Sequence, residues 1–240
     1  MSHVFSWVSL MKSVIFLLLL VSFCYAALAN KIRPNHVRNE PFKSRIDPIS
    51  KKIQLKMQRY NVQQGCPIPL SELATVKLSY WGFDKKPHVG VLIVNKALAE
   101  EVVEIFKVLY LKKFPIERME LMDTFNHDDD AAMDANNTSA FNCRVVTGEP
   151  GLLSQHSYGR AIDINPLINP YVKGSLILPS KGAQFKSREQ PCLGKITKNS
   201  LIYHEFIKRG WDWGGGWYDV QDYQHFEKQA NGVRRNPHGH

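Results

Sequence analysis

Ten consecutive residues, Ser154-Gln155-His156-Ser157-Tyr158-Gly159-Arg160-Ala161-Ile162-Asp163, set an imidazole and a carboxylate on either side of a glycine. The glycine lets the backbone turn sharply, since no Cβ opposes a positive φ there. Beyond it the chain alternates as a strand does. Ile162 and Ile164 can enter a core while Ala161 and Asp163 share the opposite face. Any fold adopted here must therefore carry one carboxylate on a rigid strand, pointing out of that core.

A second segment, Asp222-Tyr223-Gln224-His225-Phe226-Glu227, supplies another imidazole. Two histidines and one carboxylate make a set found in catalytic zinc sites, which keep a fourth position for water. A metal held so lowers the pKa of its water to about 7 and polarises a carbonyl oxygen. These residue types leave the identity of the metal open. Asp222, three residues before His225, is the nearest base to accept the proton. Positions three apart on a straight strand face opposite ways, so a bend is expected there, with Gly214, Gly215 and Gly216 close by. Arg144 completes the constellation, because a fixed guanidinium can stabilise a developing oxyanion or hold a substrate carboxylate in bidentate fashion. Taken singly, a histidine is more often satisfied in a core and an arginine more often a surface charge; the joint pattern carries the argument. Trp211, Trp213, Trp217, Tyr218 and Tyr223 lie nearby in sequence and either pack in the core or line a groove for a peptide or glycan.

Lys12 precedes the apolar run from Ser13 to Phe23, and Ala27-Leu28-Ala29 follows it. Residues 1–29 are expected to be a cleaved export signal, too short for a comfortable bilayer span, so no stable membrane anchor would persist after cleavage. Export implies an oxidising setting. Removal of Cys24 with the signal leaves Cys66, Cys143 and Cys192, enough for one bridge and one free thiol. All three pairings stay open; Cys143 with Cys192 is preferred because both flank the expected site.

Residues 30–52 are polar and basic, with Pro34, Pro41 and Pro48, and are expected to form a linker. A catalytic domain is placed at 53–230 and a disordered tail at 231–240. Within the domain, Val89, Val91 and Ile93 alternate as a strand. Asn95 can cap a helix carrying Leu98, Val102, Ile105 and Leu109 at helical spacing. A strand is expected at 117–122, a functional loop at 126–139, and a second helix at 198–209 with Ile202 and Phe206 inward and Gly210 as its stop. Strands and helices alternate too loosely for a doubly wound sheet, which leaves an α+β fold.

A chain 44% hydrophobic and 22% charged is neither collagen, coiled coil nor wholesale disorder. Its 31 Lys and Arg against 22 Asp and Glu give +9, which favours an anionic partner. A nucleic-acid partner is not expected, for no recognisable binding motif is present and export argues against it.

The pattern Ser154-x-His156-x-x-Gly159-x-Ala161-x-Asp163, followed by Asp222-x-x-His225, resembles the zinc metallopeptidases that include VanY-type D-alanyl-D-alanine carboxypeptidases and L-alanyl-D-glutamate endopeptidases, relatives of the hedgehog fold. The likeness runs from about Leu70 to Glu227 and takes in Phe141-Asn142-Cys143-Arg144 and the stretch from Gly210 to Gly215. It implies a hedgehog/DD-peptidase-like single domain of α+β class, with a central antiparallel sheet and flanking helices. It also implies Zn2+ bound by His156, Asp163 and His225, Asp222 as general base, Arg144 on the oxyanion or substrate, and Ser154 behind the ligands and beside the substrate; of the aromatic residues, Trp217 is the one expected to contact substrate. The implied enzyme hydrolyses peptide bonds in peptidoglycan stem peptides, and the export signal makes it secreted or periplasmic. Carboxypeptidase members commonly place Glu where Asp222 stands, and Asp looks more like the endopeptidase branch. A different class, a non-catalytic metal-stabilised module gripping cell wall or protein, is opposed by Asp222 and Arg144.

Overall fold

The computed structural model describes residues 40–59 and 65–232; the expected signal at 1–29, the linker up to residue 39 and tail residues 233–240 lie outside them. The chain divides between Glu40 and Pro41, and every element named below lies in the unit Pro41–His240. Among the described residues no helix is long and apolar enough to cross a membrane.

The fold is mixed α and β, built on several small antiparallel sheets and few helices. Strands β1 (Ser44–Pro48), β2 (Leu73–Trp81) and β3 (Pro87–Asn95) form one sheet in that order. Between β1 and β2 lies helix α1 (Lys51–Arg59), and after β3 comes α2 (Ala99–Leu111). Asn95 behaves as the expected cap: its side chain accepts from the Ala97 N–H at 3.1 Å, opening a 3₁₀ turn that leads into α2. Leu98, Val102, Ile105 and Leu109 are all buried, against Val76, Leu78, Leu92 and Val94 of the sheet. The face of β3 turned into this main core is thus Leu92 and Val94, while Val89 on the other face stays exposed.

Residues 44–52, assigned by composition to the linker, are ordered. β1 pairs with β2 over five residues, and Phe42 and Ile46 pack against the core. Edge strands draw on backbone bonding that composition does not report. The strand expected at 117–122 is absent for a related reason. Glu120 exchanges hydrogen bonds with the side chain of Asn137, not with a strand backbone, at 2.8 and 3.0 Å, and a 3₁₀ turn follows at Met122–Phe125. The polar stretch 126–139 contains helix α3 (Asp129–Asp134), whose N-cap Asp128 accepts from the Ala131 N–H at 3.0 Å.

The second half is built from short strands: β4 (Val145–Val146) with β5 (Glu149–Leu153), β6 (Ala161–Asp163), β7 (Tyr171–Lys173) with β8 (Leu176–Leu178), β9 (Asp212–Trp213), β10 (Gln221–Asp222) and β11 (His225–Glu227). They form a two-stranded β4–β5 hairpin and two three-stranded sheets, ordered β6-β11-β9 and β10-β7-β8. The expected central sheet is therefore replaced by separate small ones, since each strand here is only two to five residues long. Helix α4 (Leu201–Ile207) is shorter than expected and buries Ile202 and Phe206 as predicted, with Gly210 beyond it at φ 80°. The Phe206 ring stacks on Phe226 with centroids 4.1 Å apart, which seats β11 on the core.

The disulfide joins Cys66 to Cys143, with 5.7 Å between Cα atoms, which corrects the preferred Cys143–Cys192 pairing. Cys66 and Cys143 pack together against an apolar cluster with Ile49, Leu73 and Phe141, and Cys192 is a free thiol. Proximity of a cysteine to the site in sequence was a poorer guide than membership of a shared apolar cluster.

Candidate functional site

His156 sits in a 3₁₀ turn, Gln155–Tyr158, closed at each end by a residue the sequence singled out. Ser154 accepts from the His156 backbone N–H through Oγ at 3.3 Å. Gly159 leaves the turn at φ 64°, and a Cβ there would come within 2.6 Å of the Asn95 backbone nitrogen. That nitrogen donates to the Gly159 carbonyl at 2.7 Å, which ties the turn to the end of β3. Only glycine meets both demands.

Asp163 ends β6, and β11 runs antiparallel beside it with His225 directly opposite Asp163 and Phe226 opposite Ile162. Because side chains alternate, Phe226 and Ile162 enter the core while His225 and Asp163 meet on the other face. On its far edge Asp163 exchanges two backbone bonds with Ser139, at 3.0 and 2.9 Å. One residue on, the Ala140 carbonyl receives His156 Nδ1.

The three expected ligands converge. His156 Nε2 lies 3.0 Å from one Asp163 oxygen, His225 Nδ1 lies 2.9 Å from the other, and the two nitrogens are 3.1 Å apart. All three side chains are buried, and they form the one His/Cys/Asp/Glu cluster among the described residues whose atoms could share an ion. A tetrahedral zinc site with bonds of about 2.0–2.1 Å has edges of about 3.3 Å, close to this triangle. The outer contacts fix the tautomers. A carbonyl can only accept, so the Ala140 oxygen keeps the His156 proton on Nδ1, and Glu227 lies 3.1 Å from His225 Nε2. With His225 singly protonated, both inner nitrogens offer lone pairs toward a carboxylate, an all-acceptor face that either a proton on His225 Nδ1 or a metal ion can satisfy. The donor set fits a divalent metal.

Burial alone would strip the charge from His225, but Asp163 and Glu227 on its two sides outweigh it and push the imidazole up to about 10. The Asp163 carboxyl is likewise opposed by burial, yet His156 and His225 hold it far below the usual carboxylate range.

Asp222 lies in β10, which belongs to a different sheet from β11, so the expected bend exists at Tyr223 and Gln224. Gly214 makes room for it: a Cβ there would stand 2.7 Å from the Asp222 Cβ. Asp222 Oδ1 is buried without a hydrogen-bond partner, while the residue lines the same cleft as His225. Burial lifts its carboxyl to about 6, against the pull of His225 and Arg144.

Arg144 faces the same cleft, with Nη2 3.9 Å from Asp163 and Nε 3.2 Å from Asp129. Burial works against its charge, but Asp129, Asp163 and Asp222 hold the guanidinium above its ordinary value. The cleft has a volume of about 330 Å³ and is walled at one end by Tyr171, Leu178, Trp217 and Val220. Trp217 donates through Nε1 to Asp212 at 3.0 Å, and its ring lies 5.5 Å from that of His225. Of the other aromatic candidates, Trp211 and Trp213 are core residues, Tyr223 packs against that core, and Tyr218 is exposed.

Sequence reasoning missed Asp129, Ala140 and Glu227. Glu227 had a signal, two residues beyond His225 on the same strand face; the Ala140 carbonyl had none, being backbone.

Residues 147–228 match the family model for D-alanyl-D-alanine carboxypeptidase. The resemblance read from the sequence is thereby shown over that stretch, and the match supports a peptidase. It covers His156, Asp163, Asp222 and His225 and stops short of Arg144 and Asp129. No curated protein and no solved structure matches the chain.

Proposed function

We propose that this chain is an exported zinc peptidase that hydrolyses a peptide bond in the stem peptides of peptidoglycan, with release of terminal D-alanine as the leading activity. The observation that carries this reading is the meeting of His156, Asp163 and His225, with His225 lining one cleft together with Arg144 and with a half-buried Asp222 whose Oδ1 has no hydrogen-bond partner. Zinc bound by His156 Nε2, Asp163 and His225 Nδ1 would supply a Lewis acid and a water acidified toward pH 7. Asp222 takes the proton of the attacking water at its unpaired Oδ1 and passes it to the departing amine nitrogen. Arg144 meets the negative charge, on the carbonyl oxygen or on the substrate carboxylate. Trp217, held by Asp212, forms a fixed apolar wall, and Ser154 keeps the His156 turn closed against the substrate. The same reading takes the fold as hedgehog/DD-peptidase-like, supported by the family match and the order of the ligands.

Export is supported by the apolar segment that precedes Ala27-Leu28-Ala29 and by the Cys66–Cys143 bridge, since disulfides persist in oxidising compartments. One observation favours a second specificity: Asp at 222, where carboxypeptidases commonly carry Glu, points to cleavage between L-Ala and D-Glu. Mass spectrometry of products from defined muropeptides decides between them. Loss of one D-alanine marks the carboxypeptidase, release of L-alanine from D-glutamate marks the endopeptidase, and no cleavage by the zinc-loaded protein refutes both.

A further inference from the structure

Asp129 makes no contact with the ligand triangle, yet both of its oxygens are engaged at the edge of the site. Oδ1 accepts from Asn142 Nδ2 at 2.9 Å, and Oδ2 pairs by charge with Arg144 Nε at 3.2 Å, without hydrogen-bond alignment. Its backbone begins α3, just after the capping residue Asp128, so the carboxylate is held from both sides.

The Arg144 backbone is equally fixed: its N–H donates to Ser157 Oγ at 2.9 Å and its carbonyl accepts from the same hydroxyl at 2.8 Å. What is left to move is the side chain. Apart from Asp129, its contacts are a long one from Nη1 to the Val145 carbonyl at 3.4 Å and the approach of Nη2 to Asp163 at 3.9 Å. A full charge-assisted bond between guanidinium and carboxylate forms at about 2.7–2.9 Å. Arg144 therefore stands about an ångström short of capturing a ligand oxygen. Were it captured, that oxygen would donate less electron density to a cation, and a positive charge would sit closer to the metal.

We infer that Asp129 is a positioning residue that holds Arg144 off Asp163, leaving the ligand carboxylate for the metal and the guanidinium facing the cleft. This rests on the assignment of Asp163 as a ligand made above. It predicts that a residue outside the ligand set controls metal affinity, and does so only through Arg144.

The test is zinc affinity of the full chain, measured by competition with a chromophoric chelator, for wild type, D129N, D129E, R144A and the D129N/R144A double variant. D129N should bind zinc about 10- to 100-fold more weakly, the range commanded by outer partners of metal ligands. D129E should restore most of the affinity, R144A should bind at least as tightly as wild type, and the double variant should match R144A. Wild-type affinity in D129N overturns the inference. So does an equal loss in both backgrounds, as a merely structural role would give, and so does a wild-type chain that takes up no zinc. Absence of hydrolysis with this affinity pattern intact refutes the peptidase reading alone.

Discussion

His225 and Asp163 are direct cross-strand partners in the β6–β11 ladder, and their side chains meet at 2.9 Å on the face opposite Ile162 and Phe226. The strand register therefore sets the ligand geometry. A one-residue slip of β11 would turn His225 into the core and Phe226 into the site. Phe226, stacked on Phe206, makes such a slip costly, since burial of a phenylalanine contributes about 1.5–3 kcal/mol. Packing on one face of a three-residue strand thus holds the chemistry on the other.

Glu227 lies two residues past His225 on the same face and takes the outer nitrogen of the ring at 3.1 Å. Glu227→Gln keeps the shape but removes the charge that favours the proton on Nε2. Zinc affinity should fall by about 10- to 100-fold, with the fold retained. Isothermal titration with zinc checks this; an unchanged affinity would show that the Glu227 contact plays no part in presenting Nδ1.

Asp222 must be ionised to accept a proton, and its carboxyl is pushed up to about 6 chiefly by burial. Activity should therefore rise with pH along an acidic limb governed by this group. A cation on the neighbouring triad favours the ionised form, so the limb should lie at or below pH 6. Asp222→Asn should lower kcat by about 10²–10⁴-fold and abolish that limb while bound zinc, measured by mass spectrometry of the intact protein, stays near one equivalent. Retention of the limb in the variant would assign the titration to another group.

The ligand residues were legible in the sequence because their chemistry is local: Gly159 announces a turn, Ile162 and Ile164 announce a buried face, and Asp163 falls on the other. What brings the two segments together was not legible, because pairing of β6 with β11 joins residues 62 positions apart. The same limit hid β1, whose partner is β2, and the Cys66–Cys143 bridge, whose members are 77 residues apart. Asn137 shows a third kind of miss. Its amide takes the place of a strand partner for Glu120, so the segment 117–122, half charged and half apolar, makes only isolated backbone bonds, from Val91 to Met119 and from Thr138 to Arg118, and no regular ladder.

Gly159 offers a stability test away from the ligands. An alanine there would hold φ 64° at a cost of about 1–2 kcal/mol and would press a Cβ to within 2.6 Å of the Asn95 nitrogen. Backbone cannot yield as a flexible side chain does, so the His156 turn must shift. Gly159→Ala should destabilise the protein by more than about 2 kcal/mol in urea unfolding and loosen zinc binding with it. A stability loss with zinc affinity preserved would mean that the turn and the ligand are not coupled.

The disulfide ties the start of β2's approach, at Cys66, to the residue just before Arg144. It closes a loop of 77 residues that contains β2, β3 and α2, so breaking it releases a large part of the unfolded chain from constraint. Cys143→Ser should lower stability by about 2–4 kcal/mol, read as a fall in Tm under non-reducing conditions. Cys192→Ser, at a half-buried free thiol, should change Tm little. Alkylation of the native protein followed by peptide mass mapping should then label Cys192 and leave Cys66 and Cys143 joined. Recovery of a peptide pair containing Cys192 in a bridge would reverse the assignment.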